Sequence, residues 1–421
     1  MCKEKQRIYL VGIGMGTEAS LTIQAKQVLE SCDRIIGAKR MLDAVKEFNK
    51  PVLAAYKPGE IKDYIVTHSN AAKIAVVLSG DAGFYSGAKK LEEVLTEYEV
   101  ERIPGISSII YLAAKLHISW EDAALVSVHG RKQNYIHAIA THEKTFLLLG
   151  DRDTAREFCE KIRYYGLEKT QIWVGSQLSY EDEVILHKKA GELRPEECLG
   201  LDVAYIYNPE PDRRIYRHLE DEEFIRGKVP MTKSEIRAVS LAKLALTEDA
   251  VLYDVGAGTG SVSIEAAVQS GSIKVYAVEK NPEGVSMIRE NKRKFLCDWL
   301  EIVEGTAPEA LKELKPPTHV FIGGSSGNLK EIITCVKEKN PEVRIVLNAI
   351  SLETVKEVME AAREGILEEP EIIQIMASRS KKLGAYHMMT GLNPVYIITE
   401  GKEQQDGKSE ISDCGGIQRK R

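Results

Sequence analysis

The run Asp254-Val255-Gly256-Ala257-Gly258-Thr259-Gly260 constrains this chain more than any other segment, because alternate glycines close an apolar strand and open a helix. Glycine there lets the backbone turn sharply and brings main-chain N–H groups up to whatever binds. The strand is read as Val251–Val255 and the helix as lying around Ser263–Val268. A tight turn with no ligand would use the same glycines, so the motif counts only with its neighbours. Further strands are expected at Lys274–Val278, Leu300–Val303, His319–Ile322 and Arg344–Asn348, with helices between them, among them Pro282–Phe295 capped by Asn281. Glu371–Met376 and Val395–Thr399 read as two last strands flanking a loop, Ser378–Asn393.

The first half alternates in the same way. Ile8–Val11 runs into Gly12-Ile13-Gly14-Met15-Gly16. Strands are then expected at Val52–Tyr56, Lys73–Leu78, Ala124–Val128, Thr145–Leu149, Gln171–Val174 and Val203–Tyr207, with helices such as Thr22–Ser31, Ala88–Leu95 and Thr154–Tyr165. Strand–helix alternation is the pattern of α/β architecture. At 421 residues two domains are the natural division. Asn208-Pro209-Glu210-Pro211 is turn-rich and the charged stretch after it has little periodicity. The reading is therefore a domain over 1–209, a linker over 210–228, a second domain over 229–400, and a polar disordered tail over 401–421.

Composition excludes several classes. A formal net charge of −6 counts against nucleic acid as a partner. The seven cysteines are scattered without a C-x-x-C pair and there is no H-E-x-x-H, so no metal site is expected. No signal-like segment or membrane-length apolar run is seen, which places the protein in the cytoplasm, away from membranes.

In the second half Glu279 ends the next strand, where a carboxylate can accept from ribose hydroxyls, and Glu304-Gly305-Thr306-Ala307-Pro308 follows the third strand at the same edge. Nicotinamide dinucleotide and S-adenosylmethionine compete for this geometry. The dinucleotide fingerprint wants Gly or Ala where Ser261 stands, and the acidic Asp254 beside the loop would disfavour a phosphate. The charge argument favours the sulfonium cofactor.

Pro230-Met231-Thr232-Lys233-Ser234-Glu235-Ile236-Arg237, Asp254–Gly260, Glu279 and Gly305-Thr306-Ala307 resemble the Rossmann-like class I domain that methylates and decarboxylates a cobalt-precorrin, over about 229–400. The resemblance implies cofactor contacts from Thr232, Gly256, Ala257, Gly258, Thr259, Gly260, Glu279 and Ala307. In the first half, Gly12–Gly16, Leu78–Ser86, Ile103–Ser108 and Ser127–Arg131 together resemble the tetrapyrrole methylase family, most of all its carbon-5 branch. That family folds as two α/β subdomains with a bent cofactor between them, which Asp81, Phe84, Ser108 and Ile109 would line. Its first glycine loop, with Gly12 and Gly14, would border the substrate. Ala82 stands where many members have proline. Asp81 and Ser107 could equally cap helices, and His129 reads as structural.

The resemblance implies methylation of one reduced tetrapyrrole at carbons 5 and 15 with loss of an acetate carboxyl as carbon dioxide, in cobalamin biosynthesis, by a homo-oligomer. Such a substrate carries many carboxylates, for which Lys233 and Arg237 are the candidates, each also readable as an exposed helix-start charge. No catalytic acid or base is singled out, because in-line methyl transfer rests on positioning. Three other readings stay open: a second domain that modifies tRNA, one half acting only as a binding module, and an oxidoreductase.

Overall fold

The computed structural model of the chain describes residues 6–200, 202–214 and 218–401. The segment expected to be a disordered tail lies, from 402 onward, outside the described residues. Contacts group the chain into two compact units, Met1–Gln133 with Thr141–Asp212, and Asn134–Ala140 with Arg213–Arg421. No helix among the described residues is long and apolar enough to cross a membrane.

The first unit holds two sheets. β1 (Arg7–Gly12), β2 (Arg34–Gly37), β3 (Val52–Ala54), β4 (Lys73–Leu78) and β5 (Glu99–Ile103) form a parallel sheet in the order β3-β2-β4-β1-β5. Ile8, Leu10 and Val11 of β1 are all buried, since helices cover both faces of a parallel sheet and its central strands need apolar residues throughout. β6 (Ala124–Ser127), β7 (Lys144–Leu148), β8 (Gln171–Ser176), β9 (Val184–Lys189) and β10 (Val203–Tyr207) form a mixed sheet in the order β6-β7-β10-β8-β9. Two α/β layers in succession are what the resemblance to the tetrapyrrole methylases implies.

The second unit is a Rossmann-like sheet. β11 (Val251–Val255), β12 (Lys274–Glu279), β13 (Leu300–Glu304), β14 (His319–Ile322), β15 (Arg344–Ala349), β16 (Glu371–Ile375) and β19 (Val395–Glu400) run in the order β13-β12-β11-β14-β15-β19-β16. The first five are parallel, and β19 is antiparallel to both its neighbours. Strand order reverses between β11 and β14, and the crevice outside such a switch point is where open α/β sheets bind ligands. Asn281 caps the helix Pro282–Lys294 through Glu283 N–H, as its position before proline implies. The expected loop at 378–393 is instead a two-stranded hairpin, β17 (Ser378–Leu383) and β18 (Tyr386–Gly391).

Within the stretch expected to be a linker, residues 218–228 form a strap packed into the second unit. Leu219 and Phe224 belong to its core, and Ile225 exchanges two hydrogen bonds with the Asn291 side chain. Beneath the strap lies Arg237, expected as an exposed substrate-binding charge and in fact fully buried. Its guanidinium donates to Glu265 (2.5 Å), to Asp221 (3.3 Å) and to the carbonyls of Thr232 (2.7 Å) and Leu219. The Phe224 ring lies 4.8 Å from it. A buried guanidinium is tolerable only when its donors are met, and here they hold strap and core together. Arg237 therefore cannot meet substrate. Arg237→Ala would take the shared cation from two buried carboxylates, leaving Asp221 with Arg379 (3.2 Å) and Glu265 with His218 (2.9 Å), and should cost about 3 kcal/mol or more of stability in urea unfolding, the loss typical of breaking a buried pair; a change under about 1 kcal/mol would show that the pair is not needed.

Candidate active site

A cavity of about 560 Å³ opens at the carboxyl edge of the second sheet. Successive strand ends supply its wall: Val255–Gly258 after β11, Val278–Asn281 after β12, Gly305–Ala307 after β13, Gly323–Ser326 after β14, and Asn348 with Ile350 after β15. Val229–Lys233, Leu392 and Asn393 close it from the sides. Gly256 and Gly258 have φ of 72° and 59°, a region that strains any residue with a side chain. A Cβ on Gly256 would lie 2.7 Å from the Gly324 carbonyl oxygen, and one on Gly258 2.7 Å from that of Pro230. Glycine is thus required by the close approach of two other segments as well as by the turn.

Glu279 is nearly buried, and its carboxylate accepts from the amides of Gly258 (2.7 Å) and Asn281 (2.7 Å). This fixes one carboxylate on the cavity wall beside the glycine turn. Thr232, Lys233, Gly256, Ala257, Gly258, Glu279 and Ala307, all singled out from sequence, line the cavity together. Thr259 and Gly260 do not. Thr259 is buried under the turn, and Gly260 opens the helix Ser261–Ala267 at φ 77° against Ile288. Lys280, Ser326 and Asn348 were not foreseen. Lys280 reaches Ser326 (2.9 Å) at the mouth, and Asn348 is paired with Ser240 (3.0 Å). Strand-end position is the one sequence signal that could have found them.

Asp254 does not contribute to the cavity, which overturns the charge argument built on it. Its carboxylate is buried and accepts from Ser263 N–H (3.0 Å) and Oγ (2.5 Å), tying strand end to helix start. The acid that faces the cavity is Glu279, and the case against a phosphate passes to it. Burial raises the Asp254 carboxyl to about 6 from its ordinary 3.8, so the folded chain keeps a proton that the unfolded chain has released. This group therefore favours the fold most below 3.8, and its contribution declines as pH rises through about 6, by up to roughly 3 kcal/mol. Asp254→Asn should flatten that decline in urea unfolding compared at about pH 4 and about pH 7; an unaltered slope would assign it to other groups.

In the first unit a smaller cavity, about 170 Å³, lies where loops from both sheets converge. Asp81, Phe84 and Ser108 line it, with Met15, Arg40, Ser127, His129, Gln177, Tyr180 and Asp202. Asp81 caps no helix: its carboxylate accepts from Gly83 (2.7 Å) and Gly105 (3.0 Å), pinning the ends of β4 and β5. Ser107 does cap the helix Ser108–Lys115, through Ile109 N–H. Ile109 is buried in the apolar cluster rather than on the cavity. Gly12 and Gly14 also lie off it, both buried. A Cβ on Gly12 would meet the Gly80 carbonyl at 2.7 Å, and one on Gly14 would meet Ser20. These glycines serve backbone packing, and Met15 is the residue of that loop that reaches the cavity. His129, read as structural, lies on the cavity wall.

Residues 223–401 match the family described as precorrin methyltransferase domain, and residues 7–194 match the tetrapyrrole (corrin/porphyrin) methylases. Over 184 residues the chain is 44% identical to a probable cobalt-precorrin-6B C(15)-methyltransferase (decarboxylating) of Pyrobaculum calidifontis, covering 43% of this chain and 94% of that protein. The chain belongs to the precorrin methyltransferase family. It carries a tetrapyrrole methylase domain ahead of the precorrin methyltransferase domain. End to end it is similar to the Precorrin-6Y C(5,15)-methyltransferase [decarboxylating] of a Sinorhizobium species, 25% identical over 409 residues, 93% of this chain and 94% of that one. A crystal structure of Precorrin-6y C5,15-methyltransferase from Geobacter metallireducens is 41% identical over 44% of this chain and 97% of its own, with a TM-score of 0.42.

Proposed function

We propose that this chain methylates a precorrin at carbons 5 and 15 and removes an acetate carboxyl as carbon dioxide, as a bifunctional S-adenosylmethionine-dependent enzyme of cobalamin biosynthesis. The observation that carries this reading is one cavity at strand carboxyl ends in each unit of a chain similar end to end to a C(5,15)-methyltransferase. We assign carbon 15 and decarboxylation to the second unit and carbon 5 to the first, in the cytoplasm and as a homo-oligomer.

The second cavity suits the donor. Glu279 offers a carboxylate to hydroxyls, and the glycine turn, packed against Gly324 and Pro230, lines the cavity with backbone. In the reading, Thr232, Gly256, Ala257, Gly258, Glu279 and Ala307 hold it, while Thr259 and Gly260 shape the turn. Asp81, Phe84 and Ser108 do so in the first cavity. When bound, S-adenosylmethionine supplies an electrophilic methyl on sulfur. The residues around it then have to orient a ring carbon in line with that methyl and exclude water, which lowers the barrier without an acid–base pair. Lys233 and Lys280 at the mouth of the second cavity pair with substrate carboxylates, and Asn348 presents an amide inside it. The cationic imine left in the ring by carbon methylation accepts the electron pair released as the acetate C–C bond breaks. The enzyme's part in that step is to desolvate the carboxylate.

Incubation with the donor and reduced precorrin should give a product heavier by two methyl groups and lighter by one carbon dioxide; a product that keeps a labelled acetate carboxyl after methylation at carbon 15 would refute the coupled loss. The halves should also separate. Asp81→Ala should suppress carbon-5 methylation, and Glu279→Ala should raise KM for the donor at carbon 15 about tenfold to hundredfold, the worth of a lost charge-assisted contact. A mixture of both variants should restore the full product. If each variant alone makes it at the normal rate, the residue assignments are wrong.

A further inference from the structure

The hairpin formed by β17 and β18 lines neither cavity. Every residue from Ser380 to Gly391 is exposed, on both faces of the ribbon. A two-stranded ribbon with nothing packed on it is marginal in water, so its sequence should reveal what it is built to meet. Between Met376 and Pro394 there are three cations, Arg379, Lys381 and Lys382, and His387, with no acidic residue, in a chain whose net charge is −6. The register pairs Lys381 with Met388 and Leu383 with Tyr386 on one face of the ribbon, and Lys382 with His387 and Ser380 with Met389 on the other, so one face sets a lysine beside three apolar side chains. Leu383, Tyr386, Met388 and Met389 are more than half exposed.

The root of the hairpin is fixed to the cavity wall. Arg379 donates to both Glu235 carboxylate oxygens (2.6 and 2.7 Å) and to Ser234 Oγ (2.7 Å), and lies 3.2 Å from Asp221. Ser234 and Glu235 begin the helix whose preceding residues, Thr232 and Lys233, line the cavity. That pairing holds the Glu235 carboxyl down at about 2. At the other end the return strand leads straight into Leu392 and Asn393, also on the cavity. The arm is thus anchored beside the cavity at both of its ends. A cavity of about 560 Å³ is the size of a single small-ligand site, and it must hold the donor, so much of a tetrapyrrole extends beyond it.

We infer that the hairpin is a substrate arm for the second unit: on one face of the ribbon Lys381 takes a peripheral carboxylate of the tetrapyrrole, while Leu383, Tyr386 and Met388 lie on its apolar ring. The occupant follows from complementarity, since an apolar ring edged with carboxylates matches a ribbon that is basic and apolar with no acid. This rests on the function proposed above. Carbon dioxide release by the full chain reads the second unit, and wild-type release in the same assay tests that function separately from the arm. Lys381→Glu should raise KM for the tetrapyrrole about fivefold or more, as loss of an exposed ion pair and its replacement by a like charge imply, with KM for the donor unchanged, whereas Lys382→Glu on the opposite face should leave both values near wild type. The effect should shrink as salt is raised. Lys381→Arg should keep the wild-type value. A KM within about twofold of wild type in Lys381→Glu, or an equal rise in Lys382→Glu, would overturn the inference. So would a fall in assembly mass for Lys381→Glu, since the ribbon would then be pairing copies of the chain.

Discussion

Backbone pressed against backbone at the ends of strands is the constraint from which both sites follow. In the second unit the β11 turn can lie against the β14 loop and the Pro230 carbonyl only because residues 256 and 258 have no side chain. In the first, Gly12 and Gly105 bring the ends of β1 and β5 against the Gly80 carbonyl. The two sheets differ in order and in strand direction, yet each gathers its loops by the same device. What the device achieves differs. One turn lines a cavity wall, with Glu279 accepting from its Gly258 amide. The other is buried, and the cavity begins one loop residue later, at Met15.

Charge is distributed to match. The buried carboxylates Asp221 and Glu265 face Arg237 and serve the fold, whereas the cations next to the large cavity, Lys233 and Lys280, sit at its mouth. The negative total conceals this arrangement, because a solvated surface acid and a cavity-facing lysine count equally in a sum. A polycarboxylate substrate meets the local field of the mouth, and distant surface acids are screened within about 10 Å.

Much of the fold was legible because it is buried on two sides. β11, β14 and β10 were read with their observed ends, since central strands are continuous apolar runs between turn residues. β5 and β9 lie at sheet edges and carry charge, and β2 is only four residues long, so none of them gave a period to follow. The hairpin was missed for the opposite reason: with no buried face it has no apolar alternation, and Gly384, at φ 63° in its turn, was the one local clue. At the site, Glu279 and the glycines showed in sequence because their spacing from strand ends is local. Arg237 could not show. Its partners lie 16 and 28 positions away, and exposed and buried helix-start arginines look alike until those partners are placed.

The strap from His218 to Lys228 also says where this chain can be divided. Its charged, turn-rich text invites a cut just before Val229, yet Leu219, Asp221 and Phe224 complete the interior of the half that follows. A gene split at that point would produce a downstream protein lacking one of the two carboxylates that meet its buried guanidinium, and missing a side of its core. A viable freestanding version of the second half has to start upstream of His218, or replace Arg237 with an apolar residue.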